Sequence, residues 1–221
     1  MMEITYDIVR SDPEVVDLIR VSNDNLGEIG YTEHGDRHLD VVAERAKKLL
    51  LEIGRDDRTA ELAAIAAHLH DIGNSVNRIH HAITGAILAK SILVRLGMPF
   101  AEVHKIIGAI GNHHEGEGDP VSDIAAALVL ADKSDVHKSR VRATGDIISD
   151  IHDRVNYAVT NSDLYVKNEG EIIGVELLID PKVSSVMEYF EIFLDRMNAC
   201  KSAAEYLGAK FELIVNGVKL A

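Results

Sequence analysis

A chain of 221 residues with 47% hydrophobic and 27% charged positions can bury the core of one large domain, or of a domain with a small appendage. Its formal charge of −13 repels a long polyanion, which disfavours nucleic acid as a partner but leaves a small anion beside a bound cation open. The single cysteine, Cys200, excludes a disulfide framework and a multi-thiolate metal site, so any metal must be held by nitrogen and oxygen.

The chain opens on MMEITYDIVRSDPE, which has neither the basic nor the apolar region of a secretion signal. No apolar run approaches the roughly 20 residues of a membrane span. The expected location is the cytoplasm, with no membrane partner. Residues 13–142 read as helices joined by short connections, a helical bundle without a fixed-period repeat. In RHLDVVAERAKKLLLEIG, Leu39, Val42, Ala43, Ala46, Leu49 and Leu50 fall at helical spacing and Gly54 is a stop. DDRTAELAAIAAHLHDIG follows with Asp and Thr cap candidates and ends at Gly73, and HHAITGAILAKSILVRLG ends at Gly97. PFAEVHKIIGAIGNHH opens with Pro99 and carries its stripe through to His113 and His114. VSDIAAALVLADKSDVHKSRVR reads as one more aliphatic helix with a charged end.

The pattern changes near Thr144 and Gly145. RVNYAVT alternates and reads as a strand, EIIGVELLID as a second, residues 183–207 as a long helix, and KFELIVNGVKL as a strand with an Asn-Gly turn. The expected architecture is mainly α: a helical bundle over residues 1–147, with a small α+β appendage of β-β-α-β order over 148–221.

Metal-ligand residue types recur on the inward faces of five of these helices. His38 lies four residues before Val42, His70 and Asp71 close their helix, and His81 lies four before Gly85, where a missing side chain permits close approach. His113 and His114 continue the stripe of Ile106 and Ile110, and Asp132 that of Ile124 and Leu128. Inward groups on a bundle build metal sites, and imidazole with carboxylate suits Fe, Mn, Ni or Zn, with Mg also permitted. Adjacent His70 and Asp71 diverge by about 100° on a helix. One metal can take the imidazole and a second the carboxylate, and two metals roughly 3.5–4 Å apart can clamp a phosphoryl transfer.

The ordered set H…HD…HxxxG…HHE…D, carried by EHGDRHLDVVAERA, LHDIGN, HHAITGA, IGNHHEG and LADKSD over roughly residues 30–142, resembles the HD superfamily of metal-dependent phosphohydrolases. It is closest in motif to the histidine-rich HD-GYP branch, although HHEGEGDPVSD stands in place of the Gly-Tyr-Pro signature. The resemblance implies that His38, His70, Asp71 and Asp132 hold a first metal. It also implies that His81, His113 and His114 hold a second, with Asp71 bridging and a hydroxide as nucleophile. The implied function is a phosphohydrolase that cleaves a phosphomonoester or phosphodiester bond of a nucleotide-like small molecule at a mono- or binuclear site. Two alternatives are a di-iron oxygenase on the same fold, and a non-catalytic nucleotide or metal sensor. The appendage is compatible with a homodimer.

The remaining candidates carry two readings each. In DKSDVHKSRVR, Lys133, His137, Arg140 and Arg142 either hold substrate phosphate or form a solvated helix end. Asp135 is a candidate proton donor or acceptor, joining Asp71 and Lys133 in the catalytic set. Glu115 either orients a ligand or is a solvated loop carboxylate. His34 reads either as a site-edge residue or, in preference, as a loop histidine before a cap, His68 as surface or interhelical, His80 as secondary to His81, and His104 and His152 as structural or exposed.

Overall fold

A computed structural model describes residues 3–142 and 150–221. Two N-terminal helices, α1 (Tyr6–Arg10) and α2 (Pro13–Glu28), meet at Asp12. The Asp12 carboxylate accepts from the backbone N–H of Glu14 and Val15, and Pro13 fills the first helical position where no N–H is needed. The bundle continues with α3 (Asp36–Glu52), α4 (Asp57–Leu69), α5 (His81–Arg95), α6 (Phe100–Gly111) and α7 (Asp123–Ser134). Asp56 caps α4 by accepting from Thr59 N–H, and Ser122 caps α7 by accepting from Ala125 N–H.

Small side chains decide how tightly the centre closes. Ala60, Ala63, Ala64, Ala66 and Ala67 of α4 are all buried, and so is every residue of α7 from Ile124 to Ser134. A helix apolar around most of its girth has no face left for water and must be enclosed. α3, α4 and α6 enclose α7 on one side and the C-terminal segment on the other.

Two helices stop earlier than their periodicity suggests. α6 ends at Gly111, where the Asn112 side chain turns back to donate to Gly108 O, so His113 and His114 lie in the loop beyond. α7 ends at Ser134, and residues 135–142 form a loop with a 3-10 turn at Lys138–Arg140 rather than a charged helix end. Asp135 and His137 drive this: their side chains are engaged by His38 and by Ser139 N–H, which a continuing helix would not allow.

The C-terminal segment holds α8 (Ile151–Ala158), β1 (Val159–Lys167), β2 (Ile172–Ile179), α9 (Val186–Tyr206), β3 (Lys210–Val215) and β4 (Val218–Lys219). RVNYAVT is therefore mostly helix, and the strand begins only at Val159. The Asp150 carboxylate accepts from His152 and Asp153 N–H, a helix start that outweighs three residues of alternation. The sheet runs β1-β2-β3-β4: β1 pairs antiparallel with β2, and β2 parallel with β3 across α9. The β3–β4 hairpin turns at Asn216-Gly217, both at positive φ (51° and 77°), as a tight primed turn requires. Ser185 and Glu188 form a capping box at the start of α9.

The protein is mainly α with this small C-terminal sheet. One apolar cluster runs from Val9 through Leu128 to Phe193 and Val215, so bundle and appendage share a core. The expected boundary between residues 147 and 148, near Thr144 and Gly145, lies outside the described residues. Among the described residues, no helix is long and apolar enough to cross a membrane.

Candidate metal centre

Five helices converge on one buried cluster. α3 supplies His38 from its first turn, the C-terminus of α4 supplies His70 and Asp71, the first residue of α5 is His81, the loop after α6 gives His113, and α7 gives Asp132. Close backbone contact sets the α4–α5 junction. The 3-10 turn Ile72–Ser75 lies so near α5 that a Cβ on Gly73 would sit 2.0 Å from His81 O, and one on Gly85 would sit 3.2 Å from His70 O. Gly85 thus admits the backbone of His70, which brings the two histidines together.

Each of the four rings is fixed from behind. His70 Nδ1 lies 2.6 Å from Ala67 O, His113 Nδ1 2.6 Å from Ile110 O, His81 Nδ1 3.0 Å from Arg78 O, and His38 Nδ1 2.7 Å from Asp135 Oδ2. Each Nδ1–H donates to its oxygen, so each Nε2 presents a lone pair to the interior. The Nε2 atoms of His38 and His70 are buried without a hydrogen-bond partner among the described residues. Carboxylate oxygens stand opposite. Asp132 Oδ1 is 3.3 Å from His38 Nε2 and 3.6 Å from His70 Nε2, and Asp71 Oδ2 is 3.4 Å from His70 Nε2. Asp71 Oδ1 is 3.5 Å from His81 Nε2, so the two oxygens of Asp71 serve two halves of the cluster.

Three trios bring one donor atom apiece within 4.8 Å of one another: His38, His70 and Asp71; His70, His113 and Asp132; Asp71, His81 and His113. A buried lone pair without a donor costs free energy, and two buried carboxylates cost more. Cations between them offset both, so this donor set fits one or two divalent metals. The electrostatics agree. Burial opposes charge on Asp71, yet His70, His34 and His81 hold its carboxyl well below the usual range. Burial likewise opposes Asp132, which Lys133, His38 and His70 keep ionised. Burial depresses His70, but Asp71 and Asp132 override it and push the imidazole up to about 10, so its Nε2 takes a proton wherever a metal does not occupy that position. The cluster demands positive charge.

The family model of the HD domain matches residues 35–137, the stretch that supplies all six of these side chains. Residues 35–137 thus carry an HD domain. This HD protein is 28% identical over 162 residues to an uncharacterized protein of Methanocaldococcus jannaschii, covering 63% of this chain and 62% of that one. It is 34% identical over 119 residues to ribonuclease Y of Lawsonia intracellularis, covering 52% of this chain and 21% of the relative. A crystal structure of a predicted HD superfamily hydrolase from an uncultured Thermotogales bacterium aligns with TM-score 0.45 and 26% identity, over 56% of this chain and 67% of that one. The HD protein thus spans about a fifth of the ribonuclease Y relative.

The other expected site residues of the HD protein fall into different places. His114 belongs to none of the three trios; it is half-buried, with its ring 4.8 Å from that of His81 and its Nδ1 3.6 Å from Glu115 Oε2. Lys133 is buried beside the cluster, with Nζ 2.6 Å from Asp132 Oδ2 and 2.6 Å from Glu115 Oε2. Asp135 does not face the cluster. It sits behind His38, where Arg37 Nη1 also reaches its Oδ2 at 2.6 Å, so it orients a ring and is not placed to exchange protons with a substrate. His137 lies off the site, with Nδ1 accepting from Ser139 N–H and Nε2 3.3 Å from Thr160 O. Arg142 is committed to Tyr31 O, Asn23 O and Asn23 Oδ1, which ties the loop to α2 rather than holding phosphate. Arg140 donates to Glu33 O and Asp135 O and also borders a cavity beside the cluster.

Four residues gain importance beyond the sequence reading. His34 is buried at the site's edge, its ring 5.5 Å from that of His38, and is no simple loop histidine. Arg78 Nη1 lies 3.2 Å from His81 Nε2, Asn74 Nδ2 donates to Asp71 Oδ1, and Arg196 of α9 donates to Glu115. His34 had its fourfold spacing to His38 as a signal. The rest meet the site only through tertiary contact. Glu115 is not solvated but clamped between Lys133 and Arg196, which hold its carboxyl low against burial. His68 is buried under the Tyr6 ring, 5.4 Å between centroids, and points away from the cluster.

Proposed function

We propose that this protein is a metal-dependent phosphohydrolase that cleaves a phosphomonoester or phosphodiester bond in a nucleotide-like small molecule. The observation that carries the reading is the pair of buried Nε2 lone pairs on His38 and His70, aimed at the carboxylates of Asp71 and Asp132. His38, His70, Asp71 and Asp132 would hold one cation, and His81 and His113 a second with Asp71 between, His114 standing at its edge. Divalent metals there would activate water and neutralise phosphate charge. Lys133 adds a fixed cation beside Asp132 for developing negative charge on a phosphoryl oxygen. The Asp135–His38 pair keeps the ring in one tautomer.

Ribonuclease activity, named for some of the relatives, is the competing member of this class. The charge of −13 favours a small substrate over RNA. A set of four histidines and two aspartates also suits di-iron oxygen chemistry, but the cationic neighbours of the cluster favour an anionic substrate. The test is elemental analysis of protein purified without chelators, followed by phosphatase and phosphodiesterase substrates and an RNA oligonucleotide, each with Mn, Fe(II), Ni and Mg. Turnover of small phosphate esters alone is expected. Selective RNA cleavage, or oxygen-dependent turnover without hydrolysis, would overturn the reading.

A further inference from the structure

Two cavities flank the metal centre, and they differ in charge. One, about 330 Å³, reaches His113 and His114 and is walled by Glu115, Asp119 and Asp195. The other, about 300 Å³, reaches His34 and carries Arg78, Arg140 and Arg196, against one carboxylate, Asp150, among the described residues. In a chain of net charge −13 such a cavity is out of character. It begins where the metal ligands end: the His34 ring is 5.5 Å from His38, and Arg78 Nη1 is 3.2 Å from His81 Nε2.

The three guanidiniums are held rather than loose. Arg78 lies over the Tyr31 ring at 5.1 Å, with Nη1 3.4 Å from Asn74 Oδ1. Arg140 is buried, with Nε and Nη1 fixed on the carbonyls of Glu33 and Asp135. Arg196 lies over the Phe193 ring at 4.4 Å, with Nε 3.2 Å from Glu115 Oε1. Fixed guanidinium forks match the oxygens of a phosphate group; Glu115 pairs with Arg196 and Asp135 lies 3.9 Å from Arg140, but neither carboxylate lines the cavity.

We propose that this cavity is a second anion site for the substrate. A small molecule with two phosphate groups places one at the metal centre and the other among Arg78, Arg140 and Arg196. The proposal rests on the phosphohydrolase reading for the direction in which the substrate lies. It gives the C-terminal segment a task, because Phe193 and Arg196 of α9 build one wall. The cavity volume sits at the lower end of ligand pockets and takes a nucleotide-sized molecule, not a polynucleotide.

The test is calorimetric titration of the protein as purified with two adenosine compounds whose terminal phosphoryl groups are linked through carbon: the methylene-bridged analogue of ADP and the phosphonate analogue of AMP. The bisphosphorylated compound is expected to bind at least about tenfold more tightly. Arg78→Gln and Arg196→Gln should each abolish most of that preference, read within each variant as the ratio of the two affinities. Thermal unfolding of each variant checks that it folds, and the wild-type comparison needs no variant. Equal affinities in the wild type, or a preference that survives both substitutions, would overturn the proposal. A preference that holds while no phosphate ester is turned over supports the anion site and sinks the hydrolase reading. Turnover with equal affinities sinks the anion site alone.

Discussion

Asp135 Oδ2 lies 2.7 Å from Nδ1 of His38, so a carboxylate behind α7 fixes the ring that α3 turns toward the metal centre. Arg37 Nη1 reaches the same oxygen at 2.6 Å. Such outer partners set the tautomer and the aim of a ligand, and their loss costs about 10–100-fold in metal affinity. Asp135→Asn should weaken Mn binding by that factor with the helical circular-dichroism signal intact. Wild-type affinity in that variant would show that His38 needs no such support.

The two oxygens of Asp71 approach histidines in both halves of the cluster, 3.4 Å from His70 and 3.5 Å from His81. Asp71→Asn should lose most of the bound metal and all hydrolysis while the fold persists. Elemental analysis beside circular dichroism reads both. Full metal content with wild-type turnover would remove the bridging role.

His68 is two residues from His70 yet faces α1. It is buried, its ring against Tyr6 and its Nδ1 4.0 Å from Asp40 Oδ1. His68→Ala should leave metal content and turnover unchanged and cost about 2–3 kcal/mol of stability through the cavity it opens. Loss of metal in a folded variant would mean that this side of α4 reaches the centre.

Gly73 has no room for a side chain. A Cβ there would meet His81 O at 2.0 Å and Gly85 N at 2.6 Å, both backbone atoms that cannot swing aside. Gly73→Ala should cost about 3 kcal/mol or more and separate His81 from His70. The expected result is a lower melting temperature and reduced metal content together. A variant with normal melting temperature would contradict the packing of this turn on α5.

Acid should loosen the sheet through Glu212. Lys167, Lys219 and Tyr165 donate to or pair with its carboxylate and hold it down to about 2. An unfolded Glu titrates near about 4.3. The folded value is the lower one, so this contribution is complete above the unfolded value and fades as pH falls toward about 2. The melting-temperature gap between wild type and Glu212→Gln should be widest at pH 7 and close between about pH 5 and pH 2. A gap independent of pH would exclude a charge effect.

The convergence of His38, His70, Asp71, His81, His113 and Asp132 on one buried cluster was legible because most of them lie in or beside helices whose apolar spacing assigns an inward face. His38 four residues before Val42 and His81 four before Gly85 needed only helical geometry. His113 was also legible, although the helix carrying it ends two residues before; the loop holds the ring through Ile110 O. The phosphate-binding expectations at His137 and Arg142 came from extending α7 past Ser134, where side chain–backbone contacts across the loop prevail over periodicity. The helix over Ile151–Ala158 was hidden by a short alternation, although Asp150 and Asp153 mark its start. Arg78, Arg196 and Glu115 act at the site through contacts far apart in sequence, and no local pattern announces such a contact. The fold class followed from element order, but the sharing of one core between bundle and sheet did not.

α7 has no solvent face, and part of its covering comes from α9, more than fifty residues beyond its end. The stretch matched by the HD domain, residues 35–137, stops before that cover begins. Excised alone, it would leave a flank of α7 wet, and with it the helix that carries Asp132. In modular terms the HD domain is no interchangeable cassette. Any chain that carries it needs its own cover for that helix, so the folding unit is the bundle together with whatever covers α7.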